Sequence, residues 1–535
     1  MNAKVPILLI AAGLLVLAAP SSAQLAECDQ INIDPADVPG GCIARTLDDQ
    51  IGTGRGDEFT ESSSIYLIKR DPARSVRRGR QLFQRKFTRN EGQGPRVNAD
   101  STGDQVANRA LGAGLSDSCA GCHGRPRGSA GHGGVVNTRP DSRDAPHLFG
   151  LGIVEQLGDE MTADLRAIRQ KAIEEAQETG DVTTADLVSK SVYFGYIEAF
   201  PNGTVDTSNV EGVDEDLRIK PFFHQGGTIS MREFIVGAMK AEMGVETPDP
   251  VLCAATDPVN PQKVTSPAGF VFDPSKDSFE RPPVCDELAD GDGDGVSNEL
   301  DPALLDHLEF YLLNYFKPGQ GPTNKFTDSG RKLMDKIGCT ECHRPTLKIE
   351  SDRRVADVKT VHDPVNGIFN ELFATAETRF TVVDDGEEFP KLLPEGEKFT
   401  VHNFFSDLKR HDLGPKFHER DFDGNRVTEF VTEPLWGVAS TAPYGHDGRS
   451  MTLDAVIRRH GGEAQASRDA YVNKLKEEDR MAIRAFLNTL VLFPPDDTAS
   501  NLNPGDPDAA DPQDPANHGS INLGALFQIA SEGPE

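Results

Sequence analysis

Positive charge is what this 535-residue sequence has too little of: 55 Lys and Arg stand against 85 Asp and Glu, a formal net charge of −30. A surface so acidic repels phosphate backbones and anionic headgroups, so nucleic acid and anionic lipid are poor partners. Long apolar runs are also missing. The longest, Val5 to Ala19, is too short to cross a bilayer. With Lys4 before it and Ser21-Ser22-Ala23 after it, the run reads as a signal peptide cut near Gln24. The expectation is an exported chain, periplasmic or secreted, with no integral membrane segment after cleavage. Tryptophan is present once, at Trp436. Cysteine is present only eight times, and half of these residues fall into a single pattern.

That pattern is Cys-x-x-Cys-His, and it occurs twice: Cys119-Ala120-Gly121-Cys122-His123 and Cys339-Thr340-Glu341-Cys342-His343. It is the attachment signature of a c-type haem. Two thiols one helical turn apart can add to the two vinyl groups, and the adjacent imidazole then reaches the iron. A zinc ribbon also pairs two Cys-x-x-Cys units, but it does not require a His directly after each. Two covalently bound haems are therefore expected, with His123 and His343 as axial ligands. The remaining cysteines, Cys28, Cys42, Cys253 and Cys285, form an even set that suits disulfides in an oxidising compartment. Proximity favours Cys28–Cys42 and Cys253–Cys285, and three pairings are open.

The chain length implies more than one domain. The division expected is a signal peptide over 1–23, an extension over 24–105, a first haem domain over 106–320, a second over 321–495 and a tail over 496–535. Apolar residues at helical spacing predict helices over 75–87, 159–177, 230–243, 304–316, 329–337, 452–460 and 477–492, separated by irregular Gly- and Pro-rich segments. The fold class expected is mainly α: two cytochrome-c-like domains from an internal duplication, with long irregular loops and an extended C-terminal tail. The haem motifs are offset by 220 residues (339 − 119). Pro221-Phe222-Phe223-His224-Gln225-Gly226 and Pro443-Tyr444-Gly445-His446-Asp447-Gly448 recur at 222 (443 − 221). Each loop leads into a predicted helix.

The duplication separates the two sites. The second loop helix ends at His460, well placed to be a sixth iron ligand. At the same offset the first half carries Ala238, which cannot ligate iron. A haem with two strong axial ligands carries electrons, whereas one with an open side can bind peroxide or O₂. Met239, next to Ala238, becomes a ligand if the register slips by one, and His132 is a second candidate for that position.

The run from Glu433 to Arg449, with Ser406 to Gly414 and His460-Gly461-Gly462-Glu463-Ala464, resembles the bacterial di-haem cytochrome c peroxidases. It is closer still to the di-haem oxidoreductase, or "thiol oxidoreductase", branch of that superfamily. The resemblance covers roughly residues 75 to 495. It implies a peroxidatic N-terminal haem and an electron-transfer C-terminal haem whose distal ligand falls at His460. It also implies a distal glutamate, matched by Glu242 with Glu155 as a rival, that moves a proton as an O–O bond breaks. A small redox protein, favoured to be basic by the acidic surface, is the expected donor. Two departures stand out. Phe234 replaces the distal glutamine, and the tryptophan that bridges the haems in the peroxidases falls at His224. An electron carrier without enzymatic activity, and an oxygenase or protein-side-chain oxidase, are the alternatives.

Residues 290–301 read as a calcium loop. Asp290, Asp292, Asp294, Asn298 and Asp301 offer side-chain oxygens, Val296 offers a carbonyl, and Gly295 allows the turn.

Overall fold

The computed structural model describes residues 53–87, 91–93, 116–125, 129–133, 144–282, 284–290, 296–315, 318–358, 376–378, 380–387, 389–421 and 424–492. The predicted signal peptide, Cys28 and Cys42, Asp292 and Asp294, and the predicted tail lie outside them.

The helices follow local signals. α1 (Ser64–Arg70) is capped by Ser63, and α2 (Pro72–Gln84) by Asp71 with Pro at its first position. α3 (Cys119–His123) is a single turn over the first haem motif. α4 (Leu151–Thr179) runs between Gly150 and Gly180, both left-handed. α5 (Met231–Ala238) is capped by Ser230 and continues as a π-turn over Met239–Met243. α6 (Pro250–Ala255) and α7 (Pro302–Leu313) both begin with an Asp cap and Pro. α8 (Lys325–Lys336) starts at a capping box on Asn324. α9 (Leu453–Arg459), α10 (Gln465–Asn473) and α11 (Glu477–Leu487) complete the set.

All twelve residues of α7 are buried, which makes it the axle of the main core. α2 crosses it where Gly79 stands on the His307 carbonyl, leaving no room for a methyl. α8 and α11 cross in the same manner, Gly330 against the Ala482 carbonyl. In both cases a missing Cβ lets two helix backbones approach. α5 is pinned to α7 by Arg232, which is fully buried and bonds Asp249 (2.6 Å), Asp306 (2.9 Å) and Glu309 (2.7 Å). Sliding or turning the helix would break these buried ion pairs.

The expectation of a mainly α, cytochrome-c-like duplication is corrected here. About 36% of the structure is helical and 15% is strand, arranged in several small antiparallel sheets. β1 (Thr183–Ser189), β2 (Val192–Ala199) and β3 (Val205–Asp206) form a three-stranded sheet in sequence order. Six two-stranded pairs join the rest. β4 (Val264–Thr265) pairs with β5 (Val271–Phe272), and β6 (Thr346–Ile349) with β11 (Phe399–His402). β7 (Ala356–Val358) pairs with β8 (Ala376–Thr378), and β9 (Phe380–Val383) with β10 (Lys391–Pro394). β12 (Arg410–Asp412) pairs with β15 (Glu429–Val431), and β13 (Glu419–Arg420) with β14 (Arg426–Val427). Most of these strands are two to four residues long, too short for a period-two pattern to rise above loop composition. Cys253 and Cys285 are disulfide-bonded, tying α6 to the segment before the acidic loop.

What repeats between the halves is local. Phe222 bridges Thr228, and Tyr444 bridges Ser450, at the 222-residue offset. Ser230 caps α5 by accepting from the Glu233 amide, and Thr452 caps α9 by accepting from the Ala455 amide.

Candidate functional site

A single cavity of about 510 Å³ is lined by both Cys-x-x-Cys-His motifs. At the first, Ser118 caps α3 by accepting from the Gly121 amide (3.0 Å), which coils Cys119 and Cys122 into one turn. At the second, left-handed Gly338 starts a tight turn over Cys339–Glu341. None of these four cysteines is in a disulfide. The histidines are held alike. His123 Nδ1 donates to the Pro146 carbonyl (2.7 Å), and His343 Nδ1 to the Phe405 carbonyl (3.1 Å). Each bond fixes the tautomer and leaves Nε2 as the remaining ring nitrogen. Burial pushes both imidazoles down to about 4, so they stay neutral and able to ligate.

His460 shares that cavity. It ends α9, lines the cavity, and donates from Nδ1 to the Val456 carbonyl (2.7 Å), again leaving Nε2. Burial lowers its pKa below the usual value. His343 and His460 line the same cavity.

The first site differs. α5 runs on into the π-turn, and Phe234, Ala238 and Glu242 follow at four-residue spacing along the cavity wall. Met239, 2% exposed, also lines it. Phe223 packs on Phe234 with ring centroids 4.7 Å apart and is 41% exposed. Its φ of +60° is left-handed, where the second half has Gly445 at +86°. Glu155 does not line the cavity. Its carboxylate accepts from the Met231 amide (2.8 Å) and from Arg353 (3.0 Å), so it anchors the start of α5. Burial pushes it up to about 8, against the pull of Arg353. His132 is buried but stands outside the cavity lining.

Two further groups are brought together by packing. His411 bonds Asp407 (2.9 Å) and Glu463 (2.7 Å), and ligand atoms of His411, Asp407 and Cys342 lie within 4.8 Å of one another, which puts this cluster at the second Cys-x-x-Cys-His motif. Burial opposes a charge on His411, yet Asp407 and Cys342 push it up to about 11. His147 lines the cavity from the strap before α4, held to the distant Trp436 carbonyl (3.0 Å). His224 and His446, at equivalent loop positions, stand with ring centroids 5.8 Å apart. Their closeness follows only from how the two loops meet.

In the acidic loop, Asp301 Oδ1 accepts from the Ala303 amide (2.8 Å) as the cap of α7. Asn298 is left-handed at φ +50°. Asp290 and Val296 are also among the described residues.

These residues fit two haems: paired thiols at each motif, an imidazole beside each pair with Nδ1 already engaged, and a largely apolar lining. No curated protein matches the chain. A solved structure of Kuenenia stuttgartiensis hydrazine synthase pressurised with 20 bar xenon matches at 17% identity and TM-score 0.22. The match covers 36% of this chain and 57% of that one. At that score the likeness carries no argument. Residues 366–490 match the family described as "Di-haem oxidoreductase, putative peroxidase", a stretch that holds the second Pro-x-x-His loop and His460. Over those residues the chain is similar to the di-haem oxidoreductases.

Proposed function

We propose that this protein is an exported di-haem oxidoreductase of peroxidase type. Cys119, Cys122 and His123 would hold one haem, which would supply a site for peroxide or O₂. Cys339, Cys342, His343 and His460 would hold a second haem, which would supply electron transfer from a small redox protein. One observation carries the reading. At one offset from the repeated loop, the cavity wall presents an imidazole at His460 and a methyl at Ala238. When bound, a haem with an open side activates peroxide or O₂, and one with two strong ligands exchanges electrons.

The surrounding residues have separate tasks. Pro146 and Phe405 orient the proximal imidazoles through their carbonyls. Glu242 is the proton carrier at the open side, taking a proton from the bound oxidant and returning it to the leaving oxygen. Phe234 and Phe223 exclude water there and strengthen the electrostatic effect of Glu242. The loop at 290–301 takes Ca²⁺ next to the start of α7.

The test is an EPR and optical spectrum of the purified protein. One high-spin and one low-spin ferric haem are expected, with cyanide binding to one iron only. Two low-spin haems that ignore cyanide would make the protein an electron carrier instead. His460→Ala should create a second high-spin signal, and Glu242→Gln should lower peroxide turnover by about 10²-fold or more while leaving cyanide binding in place. The Phe223–Phe234 pair favours a second reading, oxidation of an organic co-substrate with O₂. Oxygen consumption measured beside peroxide turnover separates the two.

A further inference from the structure

We infer that His147 is the electronic link between the two haem sites, joining their proximal sides through a continuous hydrogen-bonded chain. The inference rests on the two-haem reading above.

The chain can be followed atom by atom. His123 Nδ1 donates to the carbonyl of Pro146 (2.7 Å). The next residue is His147. Its Nδ1 accepts from the Phe149 amide (3.2 Å), so the ring proton is on Nε2, and Nε2 donates to the carbonyl of Trp436 (3.0 Å). The residue before Trp436 is Leu435, whose amide donates to the carbonyl of Phe404 (3.1 Å). The next residue, Phe405, accepts from His343 Nδ1 through its carbonyl (3.1 Å). From one proximal imidazole to the other the route is therefore covalent bonds and four hydrogen bonds, with no gap crossed through space. The Trp436 ring packs edge-on against Phe404 (4.9 Å, 88°), which stiffens the middle of the route.

The seating of these groups is specific. Phe404 and Phe405 are fully buried and Trp436 nearly so. Gly150 and Gly437, both left-handed, make room for the pair. A Cβ at Gly150 would lie 2.8 Å from the Trp436 ring, and one at Gly437 would lie 3.2 Å from His147 Nε2. His147 is the one side chain in the route that is neither an axial ligand nor a ring packed alongside it. The rival connection is the His224–His446 pair, whose rings stand tilted by 51° with centroids 5.8 Å apart.

The step served by this route moves one electron from the His343 site to the His123 site. The first is oxidised by one electron, the second is reduced by one, and no bond or proton moves. His147 is thus a positioning and coupling residue, not a catalytic one.

The experiment uses the full di-haem protein, reduced by one electron, with intramolecular electron equilibration followed optically after a rapid trigger. Haem content and both midpoint potentials are measured on the same samples. His147→Leu is expected to slow equilibration at least about tenfold with potentials and spin states unchanged. His147→Gln, which keeps a side-chain N–H donor, is expected to recover part of the rate. His224→Phe is expected to leave the rate unchanged. An unchanged rate in His147→Leu at unchanged potentials would overturn the inference, as would a slowing found only in His224→Phe. If the wild-type protein carries fewer than two haems, the two-haem reading fails instead, and the haem assay registers that separately.

Discussion

At the scale of single residues, the two halves differ where small changes matter most. Phe223 occupies a left-handed backbone position that its counterpart fills with Gly445. A side chain there costs about 1–2 kcal/mol, and in the native protein the ring's packing on Phe234 offsets it. The two contributions separate by mutation. Phe223→Ala keeps the strain and removes the ring, whereas Phe223→Gly removes both. Phe223→Gly should therefore be more stable than Phe223→Ala by about 1 kcal/mol, read as a difference in urea midpoints at equal m. Equal stability of the two variants would mean that the loop relaxes when the ring goes. The same comparison of matched positions applies at Ala238 and His460, which carry a methyl and an imidazole.

At the scale of elements, the helix crossings carry the fold. Gly330→Ala raises helix propensity by about 0.8–1.0 kcal/mol on its own. The new methyl, however, meets the Ala482 carbonyl across the α8–α11 crossing, and a backbone atom cannot step aside. Overpacking of this kind costs about 1–3 kcal/mol, so a net loss of stability is expected in chemical denaturation. The α2–α7 crossing adds a pH dependence. His307 is buried against Ser75, its Nδ1 2.9 Å from the hydroxyl, with Arg78 at its other nitrogen. Burial lowers its pKa from 6.5 to about 3. Between those values the unfolded chain takes up a proton that the folded chain refuses. Stability is therefore full above pH 6.5 and falls as pH drops toward 3, by up to about 1.4 kcal/mol per pH unit from this group. His307→Asn should flatten that slope. Urea midpoints at pH 7 and pH 5 for both proteins check it, and identical slopes would remove His307 from the account.

At the scale of the whole molecule, charge and topology act together. The net charge of −30 belongs to the full chain and not to any one element. It favours encounter with a basic donor, and such steering weakens as salt screens it over about 8–10 Å. The second-order rate of reduction by a small basic cytochrome should fall with ionic strength, and that by a small acidic one should rise. Stopped-flow reduction at several salt concentrations checks the signs, and no salt dependence for either donor would make the acidity a matter of solubility alone. Leu347, Ile349, Phe404, Trp436 and Leu492 join the same buried cluster as α4, α5 and α7.

Some of this was legible in the sequence because it is written in short covalent spacings. The Cys-x-x-Cys-His motifs, the repeated Pro-x-x-His loop, the Ser and Thr caps and the His460/Ala238 contrast all depend on neighbours within one or two helical turns. The small sheets were not legible, since strands of two to four residues leave no periodic trace and take their register from distant partners. The separation of Glu242 from Glu155 was likewise decided by packing. Both are acidic residues near helix ends, but only the tertiary structure turns one toward the cavity and ties the other to Arg353 and the α5 amide. The link through His147 and Trp436 lies furthest from sequence. It joins residues 289 positions apart through a backbone carbonyl, a group every residue carries. The sequence by itself determined which residues can attach and ligate haem. Only the tertiary structure decided which of them share a cavity and how its two ends are connected, because hydrogen bonds to backbone leave no residue type to read.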